Sequence, residues 1–257
     1  MMLNCDLGES FGAWTMPVDE EIMVYIDQAN IACGFHAGDP VTMKNAIALA
    51  ISHDVTIGAH PSYPDLQGFG RRSMAMKPPE LAACLQYQIA AIDGLAKMQN
   101  AKVSYVKPHG ALYNDLMKDV ALRRTVMTAV YEAGKGELAL MIQAHPEHAA
   151  LRAQAEDIGI PLLFEAFSDR RYTDDGYLVS RNKPNAVLSD SDALKQAETL
   201  MDDGVIISES GKRLALEVDT LCVHGDSPGA IAIAENIRLA LTRRKLGEKH
   251  HYGSDNE

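Results

Sequence analysis

The sequence predicts a single-domain β/α barrel, TIM-like, with about seven or eight strand–helix units. Three observations carry this. Short β-branched or aromatic runs alternate with helical segments from end to end, the pattern of parallel βαβ units. The length, 257 residues, suits one such barrel. Most of the strands also break off alike, on titratable residues beside a glycine or proline. A doubly wound open sheet is the alternative. No Gly-x-Gly-x-x-Gly follows the first strand and no Gly-x-x-x-x-Gly-Lys-Ser/Thr occurs, so neither familiar nucleotide-binding loop is signalled.

The first strand is read over 2–7 and runs into Asp6-Leu7-Gly8-Glu9. A helix is expected over 19–27, where Asp19, Glu20 and Glu21 suit its first turn. A second strand, 28–34, ends in Cys33-Gly34-Phe35-His36. Asp39 and Pro40 then read as N-cap and first residue of a helix whose inner face is Met43, Ile47 and Ile51. The third strand, 55–59, ends in His60-Pro61 and opens a long polar loop containing Arg71 and Arg72. Pro79 opens the next helix, which faces inward through Leu81, Leu85, Ile89 and Ile92. The fourth strand ends in Val106-Lys107-Pro108-His109-Gly110, where proline removes a ladder donor and glycine permits positive φ. A helix over 120–133, a strand over 138–142 ending at His145, a helix over 147–158 and a strand over 161–166 follow. The last of these runs through Glu165 into Asp169-Arg170-Arg171. The stretch 173–188, rich in turn formers, reads as an irregular or hairpin insertion. A helix over 192–202 precedes the last strand, 217–223, which ends in His224-Gly225-Asp226. The final helix packs through Ile233, Ile237 and Leu241. The domain is expected to span 1–244, with a polar, frayed tail over 245–257.

Composition narrows the function classes. A hydrophobic fraction of 47% and a charged fraction of 23% are those of an ordinary globular protein. A net charge of -11 argues against a nucleic-acid surface. No apolar run reaches membrane-spanning length and no export signal is read, so the expectation is a cytoplasmic protein without membrane contact. The four cysteines, Cys5, Cys33, Cys84 and Cys222, form no Cys-x-x-Cys pair and are expected to be reduced and mostly buried.

In a parallel barrel all strand ends face one rim, where such folds place their sites. The ends carry Asp6, His36, His60, Lys107, His109, His145, Glu165, Asp169, His224 and Asp226. A lone histidine there is more often structural; five of the nine on one mouth point to a site. Asp6, His60, Lys107 and His109 are the candidate catalytic residues, as base, acid and oxyanion partner. His36, Arg71, Arg72, Glu165, Arg170, His224 and Asp226 are the candidate substrate contacts, the arginines suiting a carboxylate or phosphate. Asp39 is as readily a helix cap alone. Asp6, His60 and His109 also form a candidate divalent-metal set, although no His-x-x-x-His spacing supports it. As a rim lysine, Lys107 is expected to matter for turnover and little for stability. An Asp6 base beside a histidine acid predicts a bell-shaped pH profile.

The stretches NCDLGESFG, NIACGFHAGDP, IGAHPSYPDLQGFGRR, VKPHGALYN, EAFSDRRY and CVHGD, spread in order from Asn4 to Asp226, resemble the LamB/YcsF family, the A subunits of 5-oxoprolinase. The resemblance implies a β/α barrel similar to the polysaccharide-deacetylase group. It implies ATP-dependent opening of 5-oxo-L-proline to L-glutamate, with partner subunits B and C. The missing nucleotide loop leaves open whether ATP binds here or mainly on the partners. Two other classes stay open: a metal-dependent deacetylase or amidohydrolase acting on a sugar or small amide, and a non-catalytic lactam- or carbohydrate-binding subunit.

Overall fold

A computed structural model describes residues 1–16, 19–223 and 229–251, with side chains as far as Arg244. Seven parallel strands close into a barrel in the order β1 (Met2–Leu7), β2 (Gln28–Ala32), β3 (Thr56–His60), β4 (Val103–Val106), β5 (Ala139–Gln143), β6 (Leu162–Phe167) and β9 (Thr220–Cys222). Closure comes from β9, which pairs Thr220 with Met2 on one side and with Glu165 on the other. The strands follow chain order around the ring, so every crossover is local and each helix packs on the outside.

The helices begin where the local chemistry starts them. In α2 (Pro40–Ser52), Asp39 accepts hydrogen bonds from the amides of Val41 and Thr42, and Pro40 lacks the donor that would go unused at that position. Its buried face is Met43, Ala46, Ile47 and Ala50; Ile51 points outward, 42% exposed, one position off the expected stripe. The stripe in α3 (Pro78–Met98) is Leu81, Leu85, Ile89 and Ile92, as the spacing predicts. The helix expected over 19–27 is shorter: α1 (Asp19–Ile22) passes into a 3₁₀ turn, Met23–Tyr25. Helix α4 (Gly110–Lys118) is not foreseen from the sequence, because Pro108 and Gly110 look like the start of a loop and instead precede and begin a helix. After α5 (Val120–Gly134) and α6 (His148–Ile158), α7 (Asp190–Asp203) leads into an antiparallel hairpin outside the barrel, β7 (Val205–Ile207) with β8 (Arg213–Ala215). The last helix, α8 (Ala230–His251), buries Ile233, Ile237 and Leu241 and continues past Arg244, into the stretch expected to fray. Cys5, Cys33 and Cys222 are buried free thiols; Cys84 is half-buried. Among the described residues, no helix is long and apolar enough to cross a membrane.

Small barrels usually fill their interior with branched aliphatic side chains. Here the middle of the barrel is a hydrogen-bonded layer. The Asn30 amide donates to Asn4 Oδ1 (2.8 Å) and Asp6 Oδ1 (2.9 Å), Asn4 donates to Thr220 Oγ1 (2.9 Å), and the Tyr105 hydroxyl donates to Asn30 Oδ1 (2.7 Å). Asn4, Asn30 and Thr220 are fully buried, so these bonds offset the desolvation of their polar groups. Tyr105 reaches across because β3 has a glycine opposite: a Cβ at Gly58 would lie 2.2 Å from its ring. This layer is the floor on which the site rests.

Candidate active site

Lys107 follows β4 and turns into the barrel mouth. Its ammonium lies 2.8 Å from Asp6 Oδ1 and 2.7 Å from Glu165 Oε1, with Asn4 Oδ1 at 3.3 Å and Cys222 Sγ at 3.4 Å. The side chain is only 3% exposed. Burial opposes its charge, yet Asp6, Cys222 and Glu165 more than offset that and hold the ammonium well above the usual lysine range. Burial likewise raises the Asp6 carboxyl, but His60 and Lys107 overcome it and hold Asp6 well below the ordinary carboxylate range. Glu165 lies beneath Lys107 and is fully buried, accepting a 2.6 Å hydrogen bond from the Tyr113 hydroxyl. It holds the lysine and is not among the residues that line the cavity, where it is expected as a substrate contact.

Three imidazoles gather beside this pair. His36 stacks on His109 with ring centroids 3.8 Å apart and planes 3° from parallel; His60 stands edge-on to both. His60 Nε2 is 3.2 Å from Asp6 Oδ2 and 2.9 Å from His109 Nδ1. Glu9, two residues past β1, reaches the same cluster: Oε1 is 3.3 Å from His36 Nε2 and 3.5 Å from His109 Nδ1. Burial lowers His36 and His109 far below the usual imidazole range and raises the Glu9 carboxyl. Glu9, His36, His60 and His109 each offer a donor atom, all within 4.8 Å of one another, and could hold a metal ion. The candidate metal set shares His60 and His109 with this group; Asp6 stands beside it, with Oδ1 accepting from Lys107 and Asn30 and Oδ2 3.2 Å from His60 Nε2. His36 itself is buried behind His109 and does not line the cavity, unlike the substrate contact it was expected to be.

The loop after β3 covers this cluster. The Phe69 carbonyl accepts from His109 Nε2 at 3.0 Å, and the Phe69 ring meets both stacked imidazoles edge-on. Gly70 follows at φ +63°, where a Cβ would lie 2.9 Å from His109 Cδ2 and from His36 Cβ. The two arginines that follow part company. Arg71 lines the cavity, whereas Arg72 turns to the buried Asp65, its Nε at 3.0 and 3.1 Å from the two carboxylate oxygens. Arg72, expected as an anchor, is paired with Asp65 instead of facing the cavity.

The cavity itself is about 350 Å³. Asp6, Glu9, His60, Lys107 and His109 line it together with the cations Arg71, Arg170, Arg181 and Lys118. The 173–188 insertion contributes Tyr177 to Asn182, held by bridges of Arg170 with Val187 and Tyr172 with Leu178. Arg170 is buried; burial and the nearby charges of Arg181 and Arg71 bring its guanidinium down to about 10. Its Nη2 donates to the Val179 carbonyl at 2.7 Å while Nε has no hydrogen bond. Asp19 also lines the cavity, and burial raises its carboxyl to about 6 although the Gly8 amide donates to it at 2.9 Å. His145 is buried under Tyr177, away from the cavity lining, and Asp39 caps α2 while also accepting from Gly12 N. His224 and Asp226 lie outside the described residues. Glu9, Asp19 and Tyr113 are site residues that the sequence pattern does not single out. Glu9 had a signal, since it shares the stretch after the first strand with Asp6.

Fold and site together define a seven-stranded, TIM-like β/α barrel with a charged cleft at the C-terminal rim. The family model of the LamB/YcsF family matches residues 1–252. A Pseudomonas putida protein, the second 5-oxoprolinase A subunit named there, is 52% identical over 242 residues, covering 94% of this chain and 93% of that protein. The 5-oxoprolinase A subunit of Vibrio cholerae is 51% identical, covering 94% and 97%. The crystal structure of a lactam utilization protein from Thermus thermophilus superposes with a TM-score of 0.86 at 36% identity, over 95% of this chain and 97% of that one. The chain belongs to the LamB/YcsF family.

Proposed function

We propose that this chain acts in 5-oxoproline metabolism, as the A component of a hydrolase that opens the lactam of 5-oxo-L-proline to L-glutamate with ATP and partner subunits B and C. The observation that carries the reading is Asp6, poised between Lys107 and His60 in a cavity that Arg71, Arg170, Arg181 and Lys118 also line. The names of the relatives supply the substrate class.

A lactam is a stable amide, so ring opening needs charge control at the carbonyl oxygen, a base for water and a proton for the leaving nitrogen. Asp6 remains a carboxylate and takes the proton of the attacking water. That proton then passes from Asp6 to the nitrogen as the C–N bond breaks, with His60 standing 3.2 Å from the carboxylate. Lys107 is too firmly held to travel, so it acts as a fixed positive charge beside the developing oxyanion. Arg71 and Arg170 suit the substrate carboxylate. The cavity is roomier than one small lactam needs, leaving space toward Arg181 and Lys118 for a phosphate. ATP-driven phosphorylation of the amide oxygen, with release of ADP, would activate the carbon. Addition of one water and C–N cleavage would then give an acyl phosphate; a second water would release inorganic phosphate from it, and the cations would hold that phosphate.

The test is glutamate release from 5-oxoproline, with and without ATP and with and without subunits B and C. Release only in the presence of ATP and both partners is expected. Amide cleavage by this chain without ATP would favour the amidohydrolase reading. Full activity of an assembled complex carrying Asp6→Asn would favour a non-catalytic binding role.

A further inference from the structure

His60 and His109 face each other in a way neutral imidazoles do not tolerate. His60 Nδ1 lies 2.7 Å from the Lys107 carbonyl oxygen, and His109 Nε2 lies 3.0 Å from the Phe69 carbonyl oxygen. A carbonyl oxygen only accepts, so each of those nitrogens carries the ring hydrogen. The remaining nitrogens, His60 Nε2 and His109 Nδ1, are then both lone pairs, and they sit 2.9 Å apart. Something positive belongs between or beside them.

Two further observations point to a missing cation at this place. Glu9 Oε1 and both ring nitrogens of His36 are buried without a hydrogen bond, although Glu9 Oε1 is 3.3 Å from His36 Nε2 and 3.5 Å from His109 Nδ1. Orphaned polar atoms at this depth are costly unless something satisfies them. Carboxylates also outnumber cations here: Asp6, Glu9 and Glu165 stand against the Lys107 ammonium and the charge of Arg71, which acts on Glu9 and His36.

We propose that Glu9, His36, His60 and His109 form a binding site for one divalent transition-metal ion of the zinc class. Imidazole nitrogens with one carboxylate oxygen are the donors such ions take. The two carbonyl contacts fix the His60 and His109 tautomers as outer partners of metal-bound histidines do. His36 lies flat on His109, so binding requires its ring to turn about the Cβ–Cγ bond to bring a nitrogen toward the other three donors. The site stands apart from the substrate reading, because occupancy is read without turnover.

The experiment uses the full chain, stripped with chelator, dialysed, and titrated with Zn²⁺ by calorimetry and with Co²⁺ by visible absorption. One ion per chain is expected, with the ligand-field bands of cobalt bound by nitrogen and oxygen. Glu9→Gln and His36→Gln, shown to be folded by circular dichroism, should each weaken binding by at least about tenfold, the lower bound seen for losing even an outer partner of a ligand. Arg72→Gln, outside the cluster, should bind as the parent does. Two results would overturn the proposal: no stoichiometric binding by the parent, or binding that both cluster variants retain in full. Either would leave the two rings sharing a proton.

Discussion

The Lys107 ammonium lies 2.7 Å from Glu165 Oε1 at a point where Glu165 is fully buried. That relationship changes what Lys107 is for. Its charge is the counter-ion of two carboxylates, so Lys107→Ala leaves Asp6 and Glu165 facing an empty centre. Breaking a buried pair in this way costs about 3–5 kcal/mol. Urea unfolding should show a loss of that size, unlike the small effect expected of a rim lysine from the sequence. Turnover of the assembled complex should fall by roughly 10²-fold or more, the scale of losing one oxyanion partner. A variant with unchanged stability would show that the pairing is not formed.

Asp6→Asn keeps the shape and removes the charge. From the sequence, an acidic limb of the rate profile is expected to belong to Asp6. Lys107 and His60 hold that carboxyl well below its ordinary value of about 3.9, so it stays ionised across neutral pH. Asp6→Asn should therefore lower turnover uniformly between about pH 5 and 8, without moving a limb inside that window. Rates measured across the window check this. Full rate in the variant would leave Asp6 as a partner of Lys107 and nothing more.

Asp19 carries the opposite shift. Burial raises its carboxyl to about 6, with Glu9 adding to the rise and the Gly8 amide opposing it. The folded chain then binds a proton more readily than the unfolded chain. The stabilisation is complete below about pH 3.9 and is lost as pH rises through about 6. Asp19→Asn, whose carbonyl still accepts from Gly8, should raise the melting temperature relative to the parent at pH 8. The difference should close as pH falls toward 4. A constant difference across that range would show that Asp19 is not shifted.

Much of this site could be read from the sequence because strand ends in a parallel barrel share a rim. Asp6, His60, Lys107 and His109 are placed by that rule alone, and they meet. Burial depth could not be read. Whether Glu165 lines the cavity or lies beneath Lys107 depends on which face of a six-residue strand turns inward, and both faces of β6 are apolar enough to be buried. Nor could the splitting of Arg71 from Arg72, since adjacent residues in a loop diverge according to contacts such as Asp65 that only the fold supplies. Tyr113 is missed with its helix, because Pro108 and Gly110 are local signals for a break that tertiary packing overrides.

Gly70 offers a test of how tightly the loop after β3 fixes the imidazole cluster. Its φ of +63° would strain any L-residue, and a Cβ there would also press within 2.9 Å of His109 Cδ2 and His36 Cβ. Gly12 separates the two effects. It has nearly the same φ, +57°, and nothing within 4 Å of the position its Cβ would take. Gly12→Ala should therefore cost only the backbone term, about 1–2 kcal/mol, and leave the site as it is. Gly70→Ala should cost that amount plus about 1–3 kcal/mol of overpacking. It should also shift the ring resonances of His36 and His109 in an imidazole-selective NMR spectrum, because the clash falls on their stack. Turnover should drop with Gly70→Ala and hold with Gly12→Ala. Equal stability losses in the two variants, with unmoved histidine resonances, would mean that the loop yields and the stack is set from within the barrel alone.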